Sequence, residues 1–135
     1  MLTSVVGYPR IGAQRELKFA VESYLAGRIG IDALEETASA LRREHWLAQR
    51  ARGIDLIPSG DFSYYDGLLD TAVLFGLVPD RYRALGLSAA DTYFAMARGY
   101  QGPRGDVKAL AMKKWFNTNY HYLVPEIEEG SRIRL

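Results

Sequence analysis

Residues able to do chemistry gather in three stretches of the sequence. The first is RELK, Arg15 to Lys18, which follows the Gly/Pro loop GYPRIG. Arg15 and Lys18 lie three apart and share a face if the segment is helical. Cations in a first helical turn oppose the macrodipole. An anion seated there reverses that balance, because free N–H groups, dipole and cations then converge on it. Arg10 is placed to add to the same patch, and a solvated charged turn accounts for the same residues. The second stretch is IPSGDFSYYD, Ile57 to Asp66, with Asp61, Ser63 and Asp66 as its polar candidates. Parallel α/β folds place binding loops directly after their strands. Asp61 or Ser63 as a plain helix N-cap is the simpler reading. The third is KKWFNTNYHY, Lys113 to Tyr122, which carries Lys114, Trp115, Asn117, Asn119, Tyr120, His121 and Tyr122. Aromatic faces stack on flat ligands, amides orient them, and a lysine neutralises a carboxylate or phosphate. A structural aromatic corner or an RNA-binding strand would use similar residues. Residue chemistry alone leaves these readings open.

Composition narrows the classes. The chain has 135 residues, 48% of them apolar and 24% charged, with 17 Lys plus Arg against 16 Asp plus Glu. These values fit a soluble domain with a modest core, and the near-neutral balance gives no general reason to expect nucleic acid or an anionic membrane. The absence of cysteine excludes disulfides, thiolate catalysis and Cys-ligated metals within the chain, and suits a reducing cytoplasm. Only His45 and His121 are histidines, and no HExxH-type spacing occurs. His45 falls on an apolar helical stripe, where a packed structural role is expected. GYPRIG lacks the Gly-Lys-Ser/Thr ending of a P-loop and does not match GxGxxG. No secretory leader pattern and no membrane-length apolar run are found.

The elements that must position these residues follow from periodicity. Ser4–Gly7 reads as a short buried strand ended by Gly7, Pro9 and Gly12. A helix fits from about Arg15 to Ala26, on Leu17, Ala20, Val21 and Tyr24. Asp32 with Glu35 suggests an acidic capping box for a second helix, whose stripe is Leu34, Ala38, Leu41, His45 and Ala48. Ile54–Pro58 is a second strand candidate, and Tyr64–Phe75 a third helix. Ser88 with Asp91 starts a fourth helix that closes at Gly99. GYQGPRGD reads as loop, and Leu110–Phe116 as a third strand on its aromatic content. Strand, two helices, strand, two helices, strand is an order that favours parallel strands in an α/β fold. Three strands cannot close an eight-unit barrel, which typically takes roughly 250 residues. The expected architecture is therefore a small open sheet or an incomplete (βα)8-barrel fragment, one segment over residues 1–135. The tail EIEEGSRIRL, without a cap or fold-completing pattern, favours the fragment.

GYPRIGAQRELKFAVESYLAG, RARGIDLIPSGDFSYYD and MKKWFNTNYHYLVPEI together resemble the N-terminal domain of the cobalamin-independent methionine synthase family. The family is also described as 5-methyltetrahydropteroyltriglutamate–homocysteine methyltransferase. The resemblance covers nearly the whole chain, in order. It implies two face-to-face (βα)8 barrels, of which this chain resembles the opening part of the first. It also implies transfer of a methyl group from 5-methyltetrahydropteroyltriglutamate to homocysteine, forming methionine. By the same resemblance Arg15, Glu16, Leu17, Lys18 and Lys114 are folate-polyglutamate contacts, and Asn119 and His121 are candidates for the site wall. The family's zinc, which activates homocysteine, sits in the C-terminal barrel on His, Glu and two Cys ligands. This chain has no such barrel and no cysteine, so no cofactor is expected in it, and it is expected to be inactive alone. The expected partners are the folate, homocysteine in the parent enzyme, the remainder of the parent chain and, through open strand edges, further copies of itself. Neither nucleic acid nor membrane is expected. The rival expectation is a self-sufficient small α/β anion-binding or interaction module without catalysis, ending natively at Leu135.

Overall fold

Leu17, Ala20 and Val21 recur at helical spacing, and in the computed structural model they are the buried face of α1, Glu16–Leu25. The structure describes residues 1–131 and 133; of the tail, Arg132, Arg134 and Leu135 lie outside the described residues. The chain divides into two units, Met1–Tyr64 and Tyr65–Leu135.

In the first unit α1 packs against α2, Ile31–Ala51. Leu34, Ala38 and Leu41 form the buried stripe of α2, and His45 and Gln49 continue it. The expected capping box is not formed. Gly30 is the N-cap, without a side-chain bond, and Asp32 lies inside the first turn. There it complements the helix dipole and does not cap. The two segments read as strands form no strand: they meet only at Ser4 and Leu56, an isolated parallel bridge, and residues 4–7, expected to be buried, are exposed. Thr3 N–H donates to Asp55 Oδ2 at 2.8 Å, and Leu56 N–H donates to Thr3 O at 3.0 Å. The Thr3 backbone bond is the larger cause of an Asp55 carboxyl held below its ordinary value, and the Thr3 hydroxyl adds to it.

In the second unit Asp66 caps α3, Gly67–Leu74, by accepting from Leu69 N–H at 3.2 Å. The predicted caps Asp61 and Ser63 are passed over, and the helix begins later than expected. A four-residue helix α4, Asp80–Arg83, carries no sequence signal. Helix α5, Ala89–Arg98, starts as read: Ser88 Oγ accepts from Asp91 N–H at 3.1 Å, and its hydroxyl donates to Asp91 Oδ2 at 2.7 Å. After α5, Gly99 takes φ +82°, and a Cβ there would lie 2.9 Å from Val107 O, so only glycine fits this reversal. The reversal leads into an antiparallel hairpin of β1, Tyr100–Gly102, and β2, Gly105–Val107, within the segment read as loop. The core of this unit is built from Leu69, Ala72, Tyr82, Leu85, Phe94, Met96, Leu110 and Leu123.

The third predicted strand requires a correction. Residues 112–114 form β3, Met112–Lys114, paired antiparallel with β4, His121–Leu123, and not as a parallel strand. The Trp115–Tyr120 connection is too short for a parallel crossover, which needs about a dozen residues, but ample for a hairpin. The chain is thus α/β, with helices and short antiparallel strands, and its described residues form no closed barrel. No helix among them is long and apolar enough to cross a membrane.

Candidate functional site

Two exposed stretches, one in each unit, carry the predicted site residues. In the first, Arg15 is the residue preceding α1. It takes a left-handed backbone, φ 62° and ψ 33°, and no side chain caps the helix. Leu17 N–H donates to Ile11 O at 3.1 Å, which folds the GYPRIG loop over the helix start. The four residues of RELK then diverge in role. Arg15 and Lys18 are exposed, Lys18 only loosely paired with Glu22 at 3.7 Å. Glu16 turns back, its Oε2 accepting from Gln14 N–H at 3.0 Å. Leu17 is 0% exposed, so its side chain belongs to the core and any ligand contact it makes must come from its backbone. Arg10 does not join the patch. Its Nη1 donates to Ser63 O at 3.0 Å and Tyr64 O at 3.3 Å, bracing the loop after the second strand segment. In that loop Asp61 Oδ2 accepts from Tyr8 N–H at 2.8 Å. His45 is buried and stacks on Tyr8 with centroids 4.5 Å apart, the structural role expected of it.

The second stretch is the β3–β4 hairpin. Its register sets Lys114 opposite His121, Lys113 opposite Tyr122 and Met112 opposite Leu123. Trp115 N–H donates to Tyr120 O, and Val124 N–H donates to Ala111 O, both at 2.8 Å. Antiparallel pairs alternate between hydrogen-bonded and non-hydrogen-bonded. Lys114–His121 and Met112–Leu123 are therefore non-hydrogen-bonded pairs, the kind in which side chains approach most closely. Lys114 and His121 thus stand together on one face, both exposed. The turn is held by Thr118, whose hydroxyl donates to Trp115 O at 2.6 Å, and His121 Nδ1–H donates to Asn119 O at 3.2 Å. Trp115 meets Phe116 and Tyr122 edge-on at 5.2 and 5.6 Å. Phe116 is 80% exposed and Trp115 46%, so the aromatic run is surface and not core.

Backbone conformation singles out the same two places. Among the described residues only Arg15 (φ 62°) and Phe116 (φ 48°) combine a side chain with a positive φ. A non-glycine residue held left-handed costs on the order of 1–2 kcal/mol, and such positions concentrate at functional sites. Asp66 and Tyr93 hold the second unit's polar interior. Tyr93 OH donates to Asp70 Oδ1 at 2.5 Å and accepts from Tyr65 N–H at 3.0 Å. Burial first, then the Asp70 carboxylate, raises the Tyr93 phenol well above its ordinary value. No local pattern announced Tyr93, because its partners lie more than a turn of helix away in sequence. Among the described residues no group of three or more His, Cys, Asp or Glu side chains could hold a metal ion.

The chain belongs to the family of the cobalamin-independent synthase N-terminal domain, which matches residues 2–135. A protein of Bifidobacterium longum (strain NCC 2705) named 5-methyltetrahydropteroyltriglutamate–homocysteine methyltransferase is 59% identical over 135 residues, covering 99% of this chain. A protein of the same name from Campylobacter jejuni subsp. doylei is also 59% identical, covering 100% of this chain. In both cases the chain spans 18% of the relative's length.

Proposed function

We propose that this chain is the opening part of the first (βα)8 barrel of a methyltransferase that moves a methyl group from 5-methyltetrahydropteroyltriglutamate to homocysteine, forming methionine in the cytoplasm. The observation that carries the reading is identity at 59% along the whole chain with proteins named for that reaction. In this reading Arg15 and Lys18 at the uncapped start of α1, and Lys114 on the hairpin, attract the γ-linked carboxylates of the glutamate tail. Arg15 offers a planar fork to a carboxylate, and Lys18 and Lys114 act as mobile point charges. The backbone of Glu16 adds an N–H group at the positive end of the helix, where Leu17 N–H is already given to Ile11 O and holds the loop in place. Asn119 and His121 form wall beside Lys114. Homocysteine activation belongs to a zinc site elsewhere in the complete enzyme, so these residues bind and orient but do not transfer the methyl group, and the chain alone does not turn over.

The test is the preference of the complete enzyme for triglutamyl over monoglutamyl methyltetrahydrofolate. Hydrogen bonds to charged groups are worth about 1.5–3 kcal/mol, so each of Arg15→Ala, Lys18→Ala and Lys114→Ala should cut that preference by about tenfold or more. A preference unaltered in all three would overturn the reading, as would zinc-dependent methionine formation by the purified 135-residue chain.

A further inference from the structure

The Leu123 N–H lies in a non-hydrogen-bonded pair, so the β3–β4 ladder leaves it unused, pointing away from β3. It is nevertheless bonded. Asp66 Oδ2 accepts from it at 3.1 Å, and Asp66 Oδ1 accepts from Tyr120 OH at 2.5 Å. The same carboxylate accepts from Leu69 N–H at the start of α3. Asp66 is only 5% exposed, and its backbone N–H donates to Tyr93 OH at 3.4 Å. An N-cap for α3 needs one acceptor, which Ser, Thr or Asn supplies equally well. A buried carboxylate is costly unless its lone pairs are engaged. Here two of its three donors come from the hairpin, and they bracket β4 at Tyr120 and Leu123, the positions on either side of His121 and Tyr122. Asp66 stands where a third strand would, on the outer edge of β4.

We infer that Asp66 is a positioning residue for the ligand-binding face of the hairpin: through Tyr120 and Leu123 it fixes β4, and through the cross-strand pair it fixes Lys114 opposite His121. The inference rests on the proposed folate reading for its ligand, but its geometry stands apart from that reading. A hairpin of three-residue strands is marginal by itself. Lys114 and His121, both exposed, lie on the same side of the hairpin as the buried Leu123, so the grip on Leu123 N–H and Tyr120 OH anchors that side at its buried end.

Two variants test it. Tyr120→Phe removes one hydroxyl and should leave the unit folded, and Asp66→Asn leaves a single, uncharged acceptor oxygen for three donors. In the 135-residue chain, hydrogen exchange at Leu123 should accelerate by about tenfold in Asp66→Asn, the scale of a hydrogen bond to a charged group, and the Lys114–His121 cross-strand nuclear Overhauser effect should weaken in both variants. In the complete enzyme Tyr120→Phe should lower the triglutamate preference about threefold in KM, and the same change made on Lys114→Ala should lower it no further. An equal loss on both backgrounds, or loss of monoglutamate binding to the same degree, indicates a general structural role and overturns the inference. So does an unaltered cross-strand signal in both variants. If Lys114→Ala leaves the preference intact while exchange at Leu123 responds as expected, the folate reading fails and Asp66 still positions the hairpin.

Discussion

At the scale of single residues, RELK shows how neighbours in one helical turn divide between fold and surface. Leu17 is fully buried among Ala20, Val21 and the α2 stripe, whereas Lys18 projects outward and meets Glu22 only at 3.7 Å. Leu17→Ala removes buried methyl groups and leaves a cavity, which costs about 2–5 kcal/mol. Lys18→Ala gives up an exposed i,i+4 pair worth about 0.3–0.5 kcal/mol. Chemical denaturation should therefore separate the two by several-fold in free energy, while the triglutamate preference should respond to Lys18→Ala and not merely track stability. Equal midpoints for the two variants would show that the α1–α2 contact is not where the first unit's stability resides. The same logic explains why Glu16, which bonds Gln14 N–H, is better placed to hold the loop than to meet an anionic ligand.

At the scale of elements, what could be read in the sequence depended on how local each signal was. Helices α1, α2 and α5 were legible because periodic apolar residues, and for α5 the Ser88–Asp91 cap, lie within the element itself. Helix α4 was not, because what holds it comes from far along the chain. Asp80 N–H donates to Glu128 Oε2 at 3.0 Å, and Arg81 Nη2 donates to Glu126 Oε1 at 2.9 Å. The third strand was misread because aromatic content signals a strand without fixing the direction of its partner. Of the site, the cationic and aromatic residues were visible as types. Their grouping was not, since the Lys114–His121 pairing and the Asp66 grip depend on register. The α4 clasp is also pH-sensitive. Hydrogen bonding to Arg81 outweighs desolvation and holds the Glu126 carboxyl below its ordinary value of 4.5. A folded-state value below the unfolded one means the clasp stabilises fully above pH 4.5 and is lost as pH falls through the depressed value. Both side chains are 37% exposed, so the effect is at most about 1 kcal/mol. Thermal unfolding of Glu126→Gln against the parent should show a difference near neutral pH that closes on acidification; a constant offset would mean the clasp is packing and not charge.

At the scale of the whole molecule, the first unit has an apolar edge that its own residues do not cover. Ser4 and Leu56 make the one parallel pairing among the described residues, and Leu2, Val6 and Leu56 around it are exposed. A strand edge with unpaired N–H and C=O groups beside exposed apolar side chains is a template for pairing with another strand. In the proposed enzyme, further strands of the barrel would occupy that edge, which accounts for apolar residues at positions a self-sufficient module would make polar. In the chain by itself, a second copy is the available partner. Sedimentation of the purified 135-residue chain should therefore show concentration-dependent association. Val6→Lys with Leu56→Lys should shift it to monomer, because a charged lysine on an edge resists desolvation in a strand–strand contact. Helical circular dichroism should persist in the double variant, since α1 and α2 do not draw on these two side chains for their buried faces. A parent chain that sediments as a monomer at every concentration would favour the self-sufficient module, with Leu2, Val6 and Leu56 as ordinary surface.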